Sequence, residues 1–243
     1  PSQVIYDRAH SAISEIAPED YDAAAVMEGA DWFHWTGITP AISDRAADMT
    51  AALLAEAERR GVTVSCDLNF RKKLWSKQKA GEVMSELVKK VDVLISNEED
   101  CKDVFGIEAE GSSIKDGSLS KDGYVQIGRK LLKAFPRLKG TAFTLRESYS
   151  ANRNGWSALY VTADAVYESK RYDVSIIDRV GGGDSFGAGL IHGLRSGKGE
   201  RYALEFAVAA SCLKHTIEGD FNAVSASEVE KLMGGDGSGR VQR

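Results

Sequence analysis

The stretch Ile177–Leu190 reads IDRVGGGDSFGAGL, and its reading decides that of the chain around it. Gly181, Gly182 and Gly183 stand directly before Asp184 and a small-residue, helix-like run. Lacking a Cβ, glycine lets a backbone turn tightly and approach a ligand closely. The unpaired N–H groups of the first helical turn then point to one place, with the positive end of the helix dipole behind them. Such a stretch is an anion cradle. A carboxylate at its mouth repels the anion unless it has a chemical task, and accepting a proton from an attacking hydroxyl is one. Weak base chemistry of this kind suits a loose phosphoryl-transfer transition state, where positioning and charge stabilisation carry most of the catalysis. The competing reading is a flexible glycine joint before a helix.

Working outward, the alternation of segments predicts a doubly wound α/β sheet. Ser43–Arg60 places Ala46, Met49, Leu53, Leu54 and Ala57 at helical spacing, and Arg59-Arg60-Gly61 closes the helix. Val62–Cys66 and Val91–Ser96 are β-branched runs expected as buried parallel strands. An amphipathic segment is expected over Pro18–Glu28, a strand over Asp31–Thr36 broken by Gly37-Ile38-Thr39-Pro40, and a helix over Tyr124–Phe135. Gly140–Leu145 reads as a strand with Arg146-Glu147 at its end; Asn154-Gly155 reads as a two-residue hairpin turn. Trp156–Val161 and Ala165–Tyr172 complete an antiparallel edge. The alanines 203, 207, 209 and 210 suit either a flat ligand or a close helix contact, and Ser225–Glu228 is a capping box. Glu108–Asp122 is a polar loop and Gly234–Arg243 a disordered tail, leaving one domain over 1–233.

In open α/β sheets, ligands sit beyond the carboxyl ends of strands. Asp67-Leu68-Asn69-Phe70-Arg71 follows one such end, and Asn97-Glu98-Glu99-Asp100 another. A guanidinium fork at Arg71 matches a carboxylate and has no such partner on a neutral sugar; a solvated basic surface over Arg71–Lys73 is the alternative. The acidic run after Asn97 also suits a helix N-terminus.

Composition is compatible with all of this. The chain has 243 residues, 43% of them hydrophobic and 28% charged, with a net charge of −5 that argues against a nucleic-acid surface. No membrane-spanning run occurs, and three scattered cysteines, Cys66, Cys101 and Cys212, read as reduced cytoplasmic thiols.

Taken together, Asp178, the triple glycine, Asp184 and Ser185–Gly189 resemble the C-terminal signature of the PfkB, or ribokinase-like, carbohydrate kinases, with Arg179 and Gly182 departing from its usual form. The triple glycine, Asp67-x-Asn69-x-Arg71 and Tyr6–Ala12 resemble the keto-deoxy sugar-acid branch of that family. The resemblance implies a three-layer α/β/α fold with a mainly parallel sheet and antiparallel edge strands, and a chain lacking the family's N-terminal segment. It implies transfer of a phosphoryl group from ATP to the primary hydroxyl of a sugar acid, with Asp184 as base and the amides of Gly181, Gly182 and Gly183 holding the transferring group. Substrate contacts would come from Tyr6, Arg8, Arg71 and Asp220, although a strand end explains Tyr6 and Arg8, and a turn Asp220, as readily. ATP contacts would come from Asn69, Asn97, Thr144, Arg146 and Glu147, with Gly181 and Gly183. Asp100, where the family has Glu, or Glu99 would act on Mg²⁺ through water, and Asp178 would organise the loop or a monovalent cation such as K⁺. A homo-oligomer is compatible with the resemblance; a nucleic-acid or membrane partner is not expected. A neutral-sugar kinase of the ribokinase or fructokinase kind, and a non-catalytic sugar- or nucleotide-binding fragment, are the alternatives.

Overall fold

The computed structural model describes residues 7–110 and 120–235. Tyr6 and most of the expected loop and tail lie outside the described residues. Along the chain two compact units divide between Thr141 and Ala142.

The first unit runs through α1 (Ala12–Glu15), a 3₁₀ turn (Pro18–Asp20), α2 (Ala23–Val26), β1 (Trp32–Thr36), α3 (Ile38–Ile42), α4 (Asp44–Arg60) and β2 (Thr63–Asp67). It continues with α5 (Lys77–Leu87), a second 3₁₀ turn (Val88–Lys90), β3 (Val93–Ser96), α6 (Glu98–Phe105) and α7 (Lys121–Ala134). Strands β1, β2 and β3 are parallel neighbours, with Trp32 opposite Thr63 and Ser65 opposite Val93. Every residue of β3 is buried, as a strand covered on both faces requires. Helix α4 is bounded as its sequence predicts. The Ser43 hydroxyl accepts the Ala46 N–H at 3.1 Å, and Gly61 takes the left-handed conformation (φ 70°) that ends the helix. Its inward face is Ala46, Met49, Leu54 and Ala57.

Three expectations change here. Pro18–Glu28 is not one amphipathic helix, because Asp20 takes the Ala17 N–H and Asp22 caps Ala24 and Ala25, breaking the segment into short turns. Gly37–Pro40 opens α3 rather than a loop, since proline is tolerated in a first helical turn. Helix α7 starts at Lys121, three residues before Tyr124, because Ser120 caps the Gly123 N–H.

The second unit takes over within β4 (Gly140–Ser148) and contains β5 (Arg153–Thr162), β6 (Val166–Glu168), β7 (Tyr172–Ser175), α8 (Gly182–Arg195), α9 (Glu200–Lys214) and α10 (Ala226–Met233). β5 is hydrogen-bonded to β4 and pairs antiparallel with β6 and β7, Leu159 lying opposite Glu168 and Asn154 opposite Val174. The Asn154-Gly155 hairpin is therefore a misreading. Those residues lie inside β5, and the reversal falls on residues 149–152, where the Ser150 hydroxyl accepts the N–H groups of Asn152 and Arg153. A Cβ at 155 would lie 2.8 Å from the end of the flexible Arg171 side chain, which can move aside, so packing does not demand glycine there. Arg146 and Glu147 likewise lie within β4, which runs three residues beyond Leu145. Ala165–Tyr172 divides between β6 and the start of β7.

The alanine stripe of α9 meets a helix. A Cβ on Gly193 would come within 2.3 Å of the Ala203 Cα, and one on Gly189 within 2.8 Å of the Ala207 Cα. So α8 and α9 approach at backbone distance. The capping box at Ser225 and Glu228 forms as expected. The three cysteines are buried and free, and among the described residues no helix is long and apolar enough to cross a membrane.

Glycine to alanine in a helix interior normally stabilises by about 1 kcal/mol. At Gly193 the sign should reverse, with a loss of ~1–3 kcal/mol from forced separation of α8 and α9, read as a lower midpoint in urea unfolding.

Candidate active site

In the first unit, the ends of β2 and β3 deliver two loops to one cavity of about 400 Å³. Phe70, Arg71, Lys72 and Lys73 line it from the loop after β2; Asn97, the N-cap of α6, lines it with Glu99, Asp100 and Asp103 of that helix. Asn97 caps α6 by accepting the Asp100 N–H at 2.7 Å, which turns the Asp100 carboxylate back toward the β2 loop. There it accepts the Phe70 N–H at 3.2 Å. Burial raises the Asp100 carboxyl to about 6, opposed by that hydrogen bond and by the nearby Arg71 guanidinium. Arg71 is half-buried, and its Nε is buried without a hydrogen-bond partner. An orphaned guanidinium nitrogen beside a cavity is a site prepared for an oxygen acceptor. Asn69 holds a left-handed φ of 41° and donates to the Thr36 hydroxyl at 3.3 Å. It shapes the turn that presents Arg71. Arg8 is half-buried, and its carbonyl accepts the Ser11 hydroxyl.

In the second unit the glycine turn is built as an anion cradle would be. Gly181 is the N-cap of α8 with φ 79°, and its carbonyl accepts the Ser185 N–H at 2.9 Å. A Cβ at 181 would fall 2.2 Å from the Asp220 carbonyl oxygen, and one at 182 would fall 2.7 Å from the His215 ring. Gly183 differs: it is exposed, with nothing within 4 Å of where its Cβ would be. Among the described residues no hydrogen bond uses the N–H of Gly183 or Asp184, and the exposed Asp184 carboxylate has no partner. Two backbone donors, the dipole of a 14-residue helix and a free carboxylate thus share one open surface.

The loop beneath is pinned. Asp178 accepts the N–H of Val180 at 3.0 Å and that of Gly219 at 2.9 Å; these bonds, led by the one from Val180, hold its carboxyl below the usual range. The N–H groups of Ile177 and Asp178 both donate to the His215 carbonyl. His215 itself is buried against Trp156, and its Nδ1 lies 2.6 Å from the Ser211 carbonyl. Burial pushes its pKa down, with Arg179, Lys214 and Arg146 adding to the effect. Asp220 is exposed, and its backbone rather than its carboxylate meets the glycine turn. Thr144, Arg146 and Glu147 lie along β4, where Glu147 binds Tyr149 and Arg171.

Thus Asn97, Glu99, Asp100 and Arg71 share the cavity of the first unit, and Asp178, the three glycines, Asp184 and Asp220 share the α8 terminus of the second. The sequence reading passed over Lys72, Lys73 and Asp103 of the cavity as candidates, and Lys214 and His215 under the turn. The last pair had one visible signal: Lys214-His215 interrupts an otherwise small and apolar run, AVAASCL.

The family model for pfkB family carbohydrate kinases matches residues 155–226, which hold the glycine turn and α8. A crystal structure of 2-dehydro-3-deoxygluconokinase from Thermotoga maritima is 46% identical, with a TM-score of 0.90 over 96% of this chain and 69% of that one. The 2-dehydro-3-deoxygalactonokinase of Haloferax volcanii is 31% identical over 98% of this chain and 68% of its own length. The 2-dehydro-3-deoxygluconokinase of Thermoproteus tenax is 30% identical over 96% of this chain. The chain spans 63% of that last relative. With a parallel β1–β3 set, antiparallel β5–β7 pairings and helices throughout, the expected ribokinase-like α/β fold is borne out, and the chain belongs to the PfkB family of carbohydrate kinases.

Proposed function

We propose that the chain transfers the γ-phosphoryl group of ATP to the primary hydroxyl of a 2-keto-3-deoxy sugar acid, the 2-keto-3-deoxygluconate type first. The observation that carries the chemistry is the glycine turn: unused amides of Gly183 and Asp184 at the head of α8, beside an unpartnered carboxylate. In that reading Asp184 accepts the hydroxyl proton as the oxygen attacks, and the amides of the turn, with Gly181 and Gly182 shaping it, hold the equatorial oxygens of the transferring group. Because those donors are fixed before the reaction begins, no reorganisation is needed at the transition state.

The acid selectivity rests on Arg71, whose buried Nε lacks an acceptor. A substrate carboxylate would supply it, with Arg8 and Tyr6 as further contacts. Asn69, Asn97, Thr144, Arg146 and Glu147 are the proposed nucleotide contacts. The three relatives named above, each a kinase of a 2-dehydro-3-deoxy sugar acid, support this choice of substrate. Since those names include both gluco and galacto acids, tolerance of either configuration at the hydroxyl that separates them is part of the proposal.

Mg²⁺ would accompany the nucleotide. No group of three or more His, Cys, Asp or Glu side chains among the described residues could hold a metal alone. A pair of carboxylates, Glu99 and Asp100, beside a cavity does fit an ion that keeps its waters and binds mostly to phosphates. When bound, the ion would neutralise phosphate charge; Glu99 and Asp100 would orient its waters.

Three outcomes test this reading. Asp184→Asn should lower kcat by about 10²–10⁴-fold with the melting temperature unchanged, read by ADP release with Mg·ATP and 2-keto-3-deoxygluconate. Arg71→Leu should raise KM for the sugar acid by roughly tenfold or more, the value of a charge-assisted hydrogen bond, while activity on ribose or fructose stays low. Equal turnover of a neutral sugar by the unaltered protein would instead move the assignment to a ribokinase- or fructokinase-like enzyme. For Asp100 the folded pKa of about 6 lies above the unfolded value, so the native state binds the extra proton and its stability falls as pH rises through that range. Asp100→Asn should therefore flatten the stability profile between about pH 4 and 6 and raise stability at neutral pH by ~1–3 kcal/mol, measured by urea unfolding across pH.

A further inference from the structure

Lys214, the last residue of α9, is wholly buried, a rare state for lysine. Its Nζ donates to the Ile217 carbonyl at 2.9 Å. A Cβ on Gly181 would lie 3.2 Å from its Cε, so the lysine stem runs directly under the N-cap of α8. The Asp178 carboxylate, fixed between Val180 and Gly219, is close enough to feel the charge. Two loops, 176–181 and 215–222, thus wrap one ammonium. A buried charge is costly unless paired or well solvated by polar groups, so its retention calls for a reason.

The position supplies one. The C-terminal carbonyls of α9 favour a cation there, whereas the N-terminus of α8 repels it. A cation held against that repulsion adds a full positive charge behind the amides that face the anion, where charge stabilisation counts most. The sequence pointed to Asp178 as organising either the loop or a monovalent cation. Asp178 has its carboxylate engaged by two amides, and the neighbouring positive charge is covalently part of the chain.

We propose that the Lys214 ammonium is the built-in cation of the glycine turn: it joins the two loops, strengthens the anion cradle and makes phosphoryl transfer independent of added potassium. Lys214 acts through the turn as a positioning residue. The inference rests on the reading of that turn as the phosphoryl site.

The test compares the unaltered chain, Lys214→Met and Lys214→Ala in potassium, sodium, ammonium or tetramethylammonium chloride at equal ionic strength, following kcat, KM for ATP and melting temperature. The unaltered chain should vary by less than about twofold across the salts, since screening is held constant. Lys214→Met should lose about 10²-fold in kcat in every salt, the scale of a misplaced catalytic element. Lys214→Ala leaves room for an ion and should regain activity in ammonium or potassium but not in tetramethylammonium, a return that a merely structural lysine would not give. Strong potassium stimulation of the unaltered chain, or wild-type kcat in Lys214→Met, would overturn the proposal. Should the variants fail to fold, the salt response of the unaltered chain decides alone. ADP binding by calorimetry in the same salts separates the two claims: no turnover of any acceptor counts against the sugar-acid reading, while ADP binding that is salt-independent in the unaltered chain and weakened in Lys214→Met still supports the internal cation. Binding that requires potassium sinks it.

Discussion

A hydrogen atom in place of a methyl group, at four positions along α8, sets the arrangement of the second unit. At its start Gly181 touches the Asp220 backbone and Gly182 the His215 ring; further along, Gly189 and Gly193 touch Ala207 and Ala203. The helix is therefore pressed along its length against α9 and the loop that follows it. Ridge-to-ridge packing of larger side chains would hold helices 8–10 Å apart, so glycine and alanine are what permit the closer approach. Fixing α8 in this way fixes the direction in which its first N–H groups point. Preorganised donors are worth more to a transition state than mobile ones, because the cost of ordering them falls on folding. The Ser211 hydroxyl donating to the Gly182 carbonyl, and the Ile177 and Asp178 amides donating to His215, complete the same clamp from the other side.

Much of this was legible in the sequence, for physical reasons that can be named. Helix α4 was readable because its cap, its apolar stripe and its terminal glycine agree, and β3 because a doubly buried strand has no polar alternation to obscure it. Pro18–Glu28 was not, since side-chain bonds from Asp20 and Asp22 compete with the helix and only their geometry shows which wins. Asn154-Gly155 carried a strong local turn signal, yet pairing with β7, Asn154 opposite Val174 and Gly155 opposite Asp173, outweighed it. At the site, the glycine turn and Asp184 could be read from spacing alone, because backbone chemistry dictates which residues suit it. Lys214 left only the break it makes in the run AVAASCL, since burial of a lysine is a property of the fold around it and leaves no periodic trace.

The cavity of the first unit works by a different balance. Arg71, Lys72 and Lys73 face Glu99, Asp100 and Asp103, so the cavity carries both signs and little net field. What singles out positions within it is burial. Arg71 keeps an unsatisfied nitrogen, and Asp100 is raised to about 6 despite a hydrogen bond and a neighbouring cation. Desolvation of Asp100 outweighs both.

Asp178 and Asp184 show how one loop gives two like side chains opposite surroundings. Both are aspartates six positions apart around the same glycines, and neither is buried. Asp178 accepts two backbone N–H groups that hold its carboxyl low, so protonating it would break bonds on which the loop depends. A group whose ionised form is stabilised in that way is a poor proton acceptor and a good anchor. Asp184, in the first turn of α8, accepts nothing from the protein among the described residues, and its oxygens remain available to a hydroxyl. The asymmetry comes from backbone direction: before Gly181 the Val180 amide turns onto Asp178 and those of Ile177 and Asp178 onto the His215 carbonyl, whereas after the left-handed glycine the amides of Gly183 and Asp184 are left unused among the described residues. One residue with positive φ separates the anchored carboxylate from the open one, and any Cβ at that residue would strike the Asp220 carbonyl.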